Sequence, residues 1–145
     1  MDALAKLSAA TYALAEAKTL DDVKRIIDIA EAARTYARAA KLGLEAANHA
    51  AEVKLRAERK AGELLQQLER DKGGRPAENS FQAGTSFSEY RAVLTGSAIA
   101  PTTAHRWQTV AQVRALTLQK YIYVGLSQSY ELSYQIECQA FVTKL

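Results

Sequence analysis

Apolar residues recur at helical spacing through the first half of the chain. Leu4, Leu7 and Leu14 lie on or near one stripe of residues 2–17, with Tyr12 at its edge, and predict a short helix. Thr19-Leu20-Asp21-Asp22 reads as a second helix start. The Thr19 hydroxyl is placed to accept from the backbone N–H three residues on, and the acidic pair suits the positive end of the helix dipole. Val23, Ile26, Ile27, Ala30, Ala33 and Ala37 then continue the helical spacing. Lys41-Leu42-Gly43-Leu44 is the weakest point, because Gly costs about 1 kcal/mol in a helix interior. It marks a kink or a turn between antiparallel helices. The helical pattern resumes over residues 44–70, with a seam of Ala47, Ala51, Leu55, Gly62, Leu65 and Leu68. Glu52–Arg56 and Glu63–Gln67 are i,i+4 pairs on its surface. So narrow an apolar stripe needs a partner. The second helix would make an intramolecular hairpin; a second copy of the chain would make a coiled coil or bundle.

The pattern then weakens. Residues 71–86 are rich in Gly, Ser and Asn with little periodicity, and predict a linker. Ser86-Phe87-Ser88-Glu89 opens another helix, with Ser86 as its cap and Phe87, Tyr90, Val93 and Leu94 as its apolar face. Thr95-Gly96-Ser97 breaks it. Pro101, suited to a first helical turn, starts a helix running to about residue 113. A further short helix fits residues 116–121. In the tail, Leu132, Tyr134, Ile136, Cys138, Ala140 and Val142 alternate with polar residues, which is a strand period. Tyr121-Ile122-Tyr123-Val124 is a candidate partner strand, with a turn at residues 125–129, so the tail allows a C-terminal β-hairpin. The expected fold is mainly α: a long helical hairpin or coiled-coil arm (residues 1–70), a linker (71–86), a small helix-turn-helix-like module (87–121), and the tail (122–145).

Composition sharpens this picture. Nearly half of the 145 residues are apolar, but Ala supplies much of that and buries little area. Ala is also the best helix former, which favours the long helices. The net charge of +3 permits nucleic-acid binding without requiring it. One cysteine, Cys138, excludes an intrachain disulfide and a cysteine-based zinc site. It reads as a buried apolar residue, and the pattern fits a reducing compartment. Asp2, Lys6 and Glu16 interrupt any apolar N-terminal run, and no stretch reaches the roughly 20 apolar residues a bilayer requires. A cytoplasmic protein without a membrane span is expected.

Candidate chemistry concentrates at residues 93–108. A helix-turn-helix needs a short helix, a tight turn and a second helix whose inner face packs on the first. Ile99, Ala104 and Trp107 fall at the inner positions; Thr102, Thr103, His105, Arg106 and Thr109 fall outside. Thr hydroxyls suit phosphates or base edges, His105 suits either, and Arg106 is a candidate for a bidentate contact to guanine, worth about 1–3 kcal/mol of discrimination. The turn position usually held by Gly is Ala98, whereas Gly96 lies two residues earlier, which suggests a longer turn. The bland alternative is a plain helical hairpin with Trp107 in its core. Arg56, Arg59, Lys60, Lys72 and Arg75 are candidate phosphate contacts. Gly74-Arg75-Pro76 matches the core of an AT-hook without its second basic half, so a plain turn is the simpler reading. His49, near Glu45 and Glu52, reads as a solvated side chain.

Residues 32–65, notably Tyr36-Ala37-Arg38-Ala39-Ala40-Lys41-Leu42-Gly43-Leu44-Glu45-Ala46 and Ala51-Glu52-Val53-Lys54-Leu55-Arg56-Ala57-Glu58-Arg59-Lys60-Ala61-Gly62-Glu63-Leu64-Leu65, resemble a helical region of phage and bacterial mobile-element proteins. There a Gly-Gly-Arg-Pro linker follows, here residues 73–76, and then an Ile-Ala-Pro-Thr-Thr-Ala-His-Arg-Trp element, here residues 99–107. Some relatives join these regions to adenine methyltransferase or ParB-like domains. The resemblance spans about residues 20–113 and implies a phage-type DNA-associated protein. The chain departs at Arg114-Ala115-Leu116-Thr117-Leu118, where such relatives carry an acidic Pro-Glu-Glu-x-Phe helix.

No catalytic constellation accompanies these features. A Gly-rich cofactor loop, an Asp/Asn-Pro-Pro-Trp/Tyr motif, a phosphate loop, a His-x-x-x-His pair and a Gly-x-Ser-x-Gly elbow are all missing. The acids are scattered at salt-bridge spacing rather than clustered for metal. The expectation is a non-enzymatic accessory or regulatory protein that binds double-stranded DNA as a homodimer, with no cofactor and no metal. Its two reading helices would enter major grooves about 34 Å apart. The alternatives are a phage-encoded protein-interaction factor, such as an inhibitor of a host defence complex, and a purely structural helical oligomer.

Overall fold

The computed structural model describes residues 3–68 and 89–127. Among them are six helices and no strand: α1 (Ala3–Glu16), α2 (Leu20–Ala39), α3 (Leu44–Gln67), α4 (Glu89–Gly96), α5 (Pro101–Gln112) and α6 (Ala115–Ser127). The protein is thus mainly α.

Local chemistry sets the helix ends. Thr19 caps α2: its Oγ1 accepts from the Asp22 backbone N–H at 3.2 Å and donates to the Asp22 carboxylate at 2.6 Å. That contact is the first reason the Asp22 pKa lies below its ordinary value. At the other end of α2, Leu42 N–H bonds the Ala37 carbonyl and Lys41 N–H bonds that of Arg38. This Schellman arrangement requires a left-handed residue, and Lys41 supplies it at φ 52°. Gly43 follows at φ 98° and ψ 165°, a conformation essentially confined to glycine. The weak point near Gly43 is therefore a turn. The same device recurs after α4, where Ile99 N–H bonds the Leu94 carbonyl, Ala98 N–H bonds that of Thr95, and Ala98 sits at φ 51°.

Packing centres on α3, which contacts α1, α2, α5 and α6. The Lys54–Glu31 ion pair joins residues nearly equidistant from the turn, so α2 and α3 run antiparallel. One core gathers Leu7 and Ala10 of α1, Val23, Ile26, Ile27 and Ala30 of α2, Val53, Ala57, Ala61 and Leu65 of α3, and Leu94, Ile99, Ala104 and Trp107 from the α4–α5 region. Helices from both sides of residues 69–88 thus share one interior. A smaller cluster joins Ala51 and Leu55 of α3 to Leu118, Tyr121 and Ile122 of α6. The closest approach is at Gly62. A Cβ there would overlap the Trp107 carbonyl and come within 2.9 Å of the Ala111 Cβ.

The candidate strand Tyr121-Ile122-Tyr123-Val124 is corrected: it forms the middle of α6, and the helix continues into the expected turn. The physical reason is spacing. Leu118, Tyr121 and Ile122 stand at i, i+3 and i+4, and all three are buried against α3. A strand would send Tyr121 and Ile122 to opposite faces. The boundary between residues 121 and 122 also falls inside this helix. The alternating segment from Leu132 onward, the linker, Ser86 and Phe87 lie outside the described residues. No described helix is long and apolar enough to cross a membrane.

Two stability outcomes follow. Gly62→Ala should destabilise the fold by about 2–3 kcal/mol through overpacking, read by urea titration. Because Trp107 is the sole tryptophan, its fluorescence reports α5 docking directly; a variant as stable as wild type would mean that α5 does not rest on the Gly62 backbone. Conversely, Lys41→Gly and Ala98→Gly should each stabilise by about 0.5–1 kcal/mol by relieving a left-handed non-glycine residue. Lower urea midpoints in both variants would count against the two Schellman turns.

Candidate nucleic-acid interface

α5 begins cleanly because Pro101 occupies its first turn, where a missing N–H costs nothing. Ala100 precedes it and provides no side-chain cap for the first amides of the helix. Ala98 takes the left-handed turn position that glycine usually holds. The turn is therefore compact, not lengthened towards Gly96 as the sequence suggested. Ser97 Oγ donates to the Asp21 carboxylate, anchoring this turn to the start of α2.

The faces of α5 divide sharply. Ala104, Trp107, Gln108 and Val110 are buried. Thr102, His105 and Gln112 are exposed, while Thr103, Arg106 and Thr109 are half-buried. The inner face meets α3 more than α4. Its polar member Gln108 is held at both ends: its Nε2 donates to Tyr90 Oη of α4 at 3.2 Å, and its carbonyl accepts from Gln66 Nε2 of α3 at 3.3 Å. Thr109 Oγ1 donates to the His105 carbonyl at 3.0 Å, which occupies its proton inside the helix.

The expected site residues thus separate into groups. Thr102, Thr103, His105 and Arg106 come together on the first two turns of α5. Arg56, Arg59 and Lys60 sit on another face of α3, turned towards α1 and α6. Arg56 Nη2 donates to Glu52 and to Gln119, both at 2.8 Å. Arg59 pairs with Glu63 at 2.9 Å and donates to the Val113 carbonyl. Lys60 Nζ donates to the Leu14 carbonyl at 2.6 Å. These cations fasten α1 and α6 onto α3 and line a groove of about 630 Å³ whose apolar wall is Leu14, Leu118 and Ile122. Lys72 and Arg75 lie outside the described residues.

The sequence reading missed Glu58. It lies on α3, wholly buried, with Oε1 3.3 Å from Nη2 of Arg106. Burial pushes its carboxyl above the ordinary value; Lys54, Arg106 and the Trp107 indole pull the other way. Glu58 Oε2 and Trp107 Nε1 have no hydrogen-bond partner among the described residues. The indole is near enough to favour the charge without completing a bond. The Arg106 side chain is 34% exposed, so its guanidinium bridges the buried carboxylate and the outer face of α5. The sequence signal was present: Asn48, Ala51, Leu55, Glu58, Gly62 and Leu65 follow a 3-4-3-4-3 spacing, which puts Glu58 in the seam itself.

The chain matches no family model, no curated protein and no solved structure.

Removing either partner of this pair should have opposite effects. Arg106→Ala strands a buried carboxylate and should cost about 3 kcal/mol. Glu58→Gln keeps the shape without the charge and should be as stable as wild type or more so near neutrality. The pH dependence has a fixed sign. With its folded pKa raised, Glu58 contributes most favourably below its unfolded pKa and loses that contribution as pH rises through the folded value. The advantage of Glu58→Gln over wild type should therefore be small in acid and grow towards neutrality. Urea midpoints across that range check it, and an advantage that shrank with rising pH would contradict a disfavoured buried carboxylate.

Proposed function

We propose that this protein is a non-enzymatic DNA-binding accessory or regulatory protein, of the phage or mobile-element type its sequence resembles, with α5 lying in the major groove. The observation that carries the reading is the division of α5: an apolar inner face seated on α3, and an outer face offering Thr102, Thr103, His105 and the edge of Arg106. The compact turn at Ala98 supports it, because it holds α4 and α5 in the short-helix, turn, second-helix order of such elements. The uncapped start of α5 adds backbone donors suited to a phosphate.

Arg56, Arg59 and Lys60 contribute little in this arrangement, since each is engaged with α1, α6 or its own helix. A dimer formed through the α3 seam is also disfavoured, because α5 and α6 cover that seam within the chain. A second reading has its own support. Tyr12 of α1 is 79% exposed, and Leu116 and Tyr123 of α6 are 67% and 68% exposed. Large apolar side chains left in solvent suit a protein-interaction factor or a helical oligomer.

Fluorescence anisotropy with a mixed-sequence duplex separates these readings. Arg106→Ala is a poor probe because it also strands Glu58, so exposed positions are preferable. Thr102→Glu and His105→Glu should each weaken binding by about tenfold or more, roughly 1.4 kcal/mol, without lowering the urea midpoint. Wild-type binding should also weaken with salt. Unchanged affinity in both variants would remove α5 as the contact helix. No duplex binding at low salt would leave the interaction reading in its place.

A further inference from the structure

Glu58 is the one acid wholly buried among the described residues. Four groups face it. Arg106 and the Trp107 indole reach it from α5, Lys54 lies one turn earlier on its own helix, and Glu31 stands across on α2. The Lys54 ammonium is already paired with Glu31. Arg106 is thus the partner that gives Glu58 a direct charged hydrogen bond. The Arg106 side chain also reaches from this buried carboxylate to the outer face of α5, beside exposed His105.

A guanidinium in this position can bond the carboxylate inside or turn to a phosphate or guanine edge outside. Turning outward leaves a buried charge without its partner, the costliest arrangement for an ionised group. Such a carboxylate accepts a proton instead of remaining charged. We propose that Glu58 holds Arg106 against the core, and that engagement of duplex DNA by Arg106 is coupled to uptake of one proton by Glu58. The proton comes from solvent and converts the carboxylate to a carboxylic acid; no other bond changes. Glu58 is then a positioning residue that restrains the DNA contact, and affinity rises as pH falls. The inference rests on the reading of α5 as the DNA-contacting helix.

The sign and size of the effect follow from linkage. If the bound state holds one more proton, affinity changes by at most about tenfold per pH unit, between the free-state and bound-state pKa of Glu58. Burial already raises the free-state value, and it would rise further once Arg106 left. Duplex affinity should be measured by anisotropy between about pH 5 and about pH 8 at constant ionic strength, with an expected gain towards acid of up to about tenfold per unit. Glu58→Gln should abolish that slope and bind more tightly than wild type at the alkaline end. The neighbouring titratable side chain is tested by His105→Gln, which should retain the slope whatever its absolute affinity. A second readout does not depend on any variant folding. Calorimetric titration of wild type in buffers of different ionisation enthalpy, at the pH where the affinity slope is steepest, should show proton uptake on duplex binding that matches that slope. Uptake below about 0.3 proton, or a slope that survives Glu58→Gln, overturns the proposal while leaving the DNA-binding reading intact. Absence of duplex binding by wild type and by Glu58→Gln at every pH overturns both.

Discussion

Four helices must reach α3, and a helix can take that many neighbours only where its own side chains leave room. Neighbouring axes lie about 8–10 Å apart, and the near end of that range is open only to small residues. α3 meets the demand with Ala50, Ala57 and Ala61, each fully buried, and most sharply with Gly62, where the backbone of Trp107 takes the place of a side chain. Ala and Gly bury little area individually, so stability comes from the larger residues gathered with them: Val23 and Ile26 from α2 and Leu7 from α1 in the main core, and, beside Ala51, Tyr121 and Ile122 from α6. The apolar content that looked thin as a sum of alanines becomes a core because small residues on one helix admit large ones from the others.

The same crowding explains the polar architecture. With apolar surface consumed on several sides of α3, its charged residues are drawn into bonds with neighbouring helices. Lys60 bonds a carbonyl near the end of α1, Arg59 a carbonyl after α5, and Arg56 the side chain of Gln119 on α6. Glu58 is the extreme case, since its position in the seam leaves no route to water. Exposed ion pairs on such a surface add little stability each. The buried one differs: its energy depends on where a single guanidinium points.

Much of this fold was legible. The Thr19 cap, the turn at Lys41-Leu42-Gly43-Leu44 and the start of α5 at Pro101 each rest on local rules, and each recurs in the structure. What was not legible depended on contacts distant in sequence. Tyr121-Ile122-Tyr123-Val124 has strand-like composition, and only the pairing of Leu118, Tyr121 and Ile122 against Ala51 and Leu55 decides for helix. Arg56, Arg59 and Lys60 read as phosphate contacts because nothing local to them shows that α1 and α6 face them. Ala98 looked wrong for a tight turn because glycine is the usual left-handed residue; an alanine can occupy the position when Leu94 and Ile99 are buried on either side of it. Glu58 stands in the seam at heptad spacing, but one acid among many charged neighbours carries no local sign of burial.

The seating of α5 bears directly on how its outer face can act. Its backbone rests on Gly62 with no side chain between them, so the contact leaves little freedom for the helix to rock or slide. Gln108 pins the same helix to α4 and α3, its side chain donating to Tyr90 and its backbone carbonyl accepting from Gln66, and Ser97 ties the preceding turn to α2. Thr102 and His105 are then presented from a fixed platform, and the adjustable element at the surface is the long side chain of Arg106. Rigidity in the helix and a choice of partners for one arginine are consequences of the same contact. Bringing α5 close enough to touch α3 is what places Arg106 within reach of the carboxylate that α3 buries.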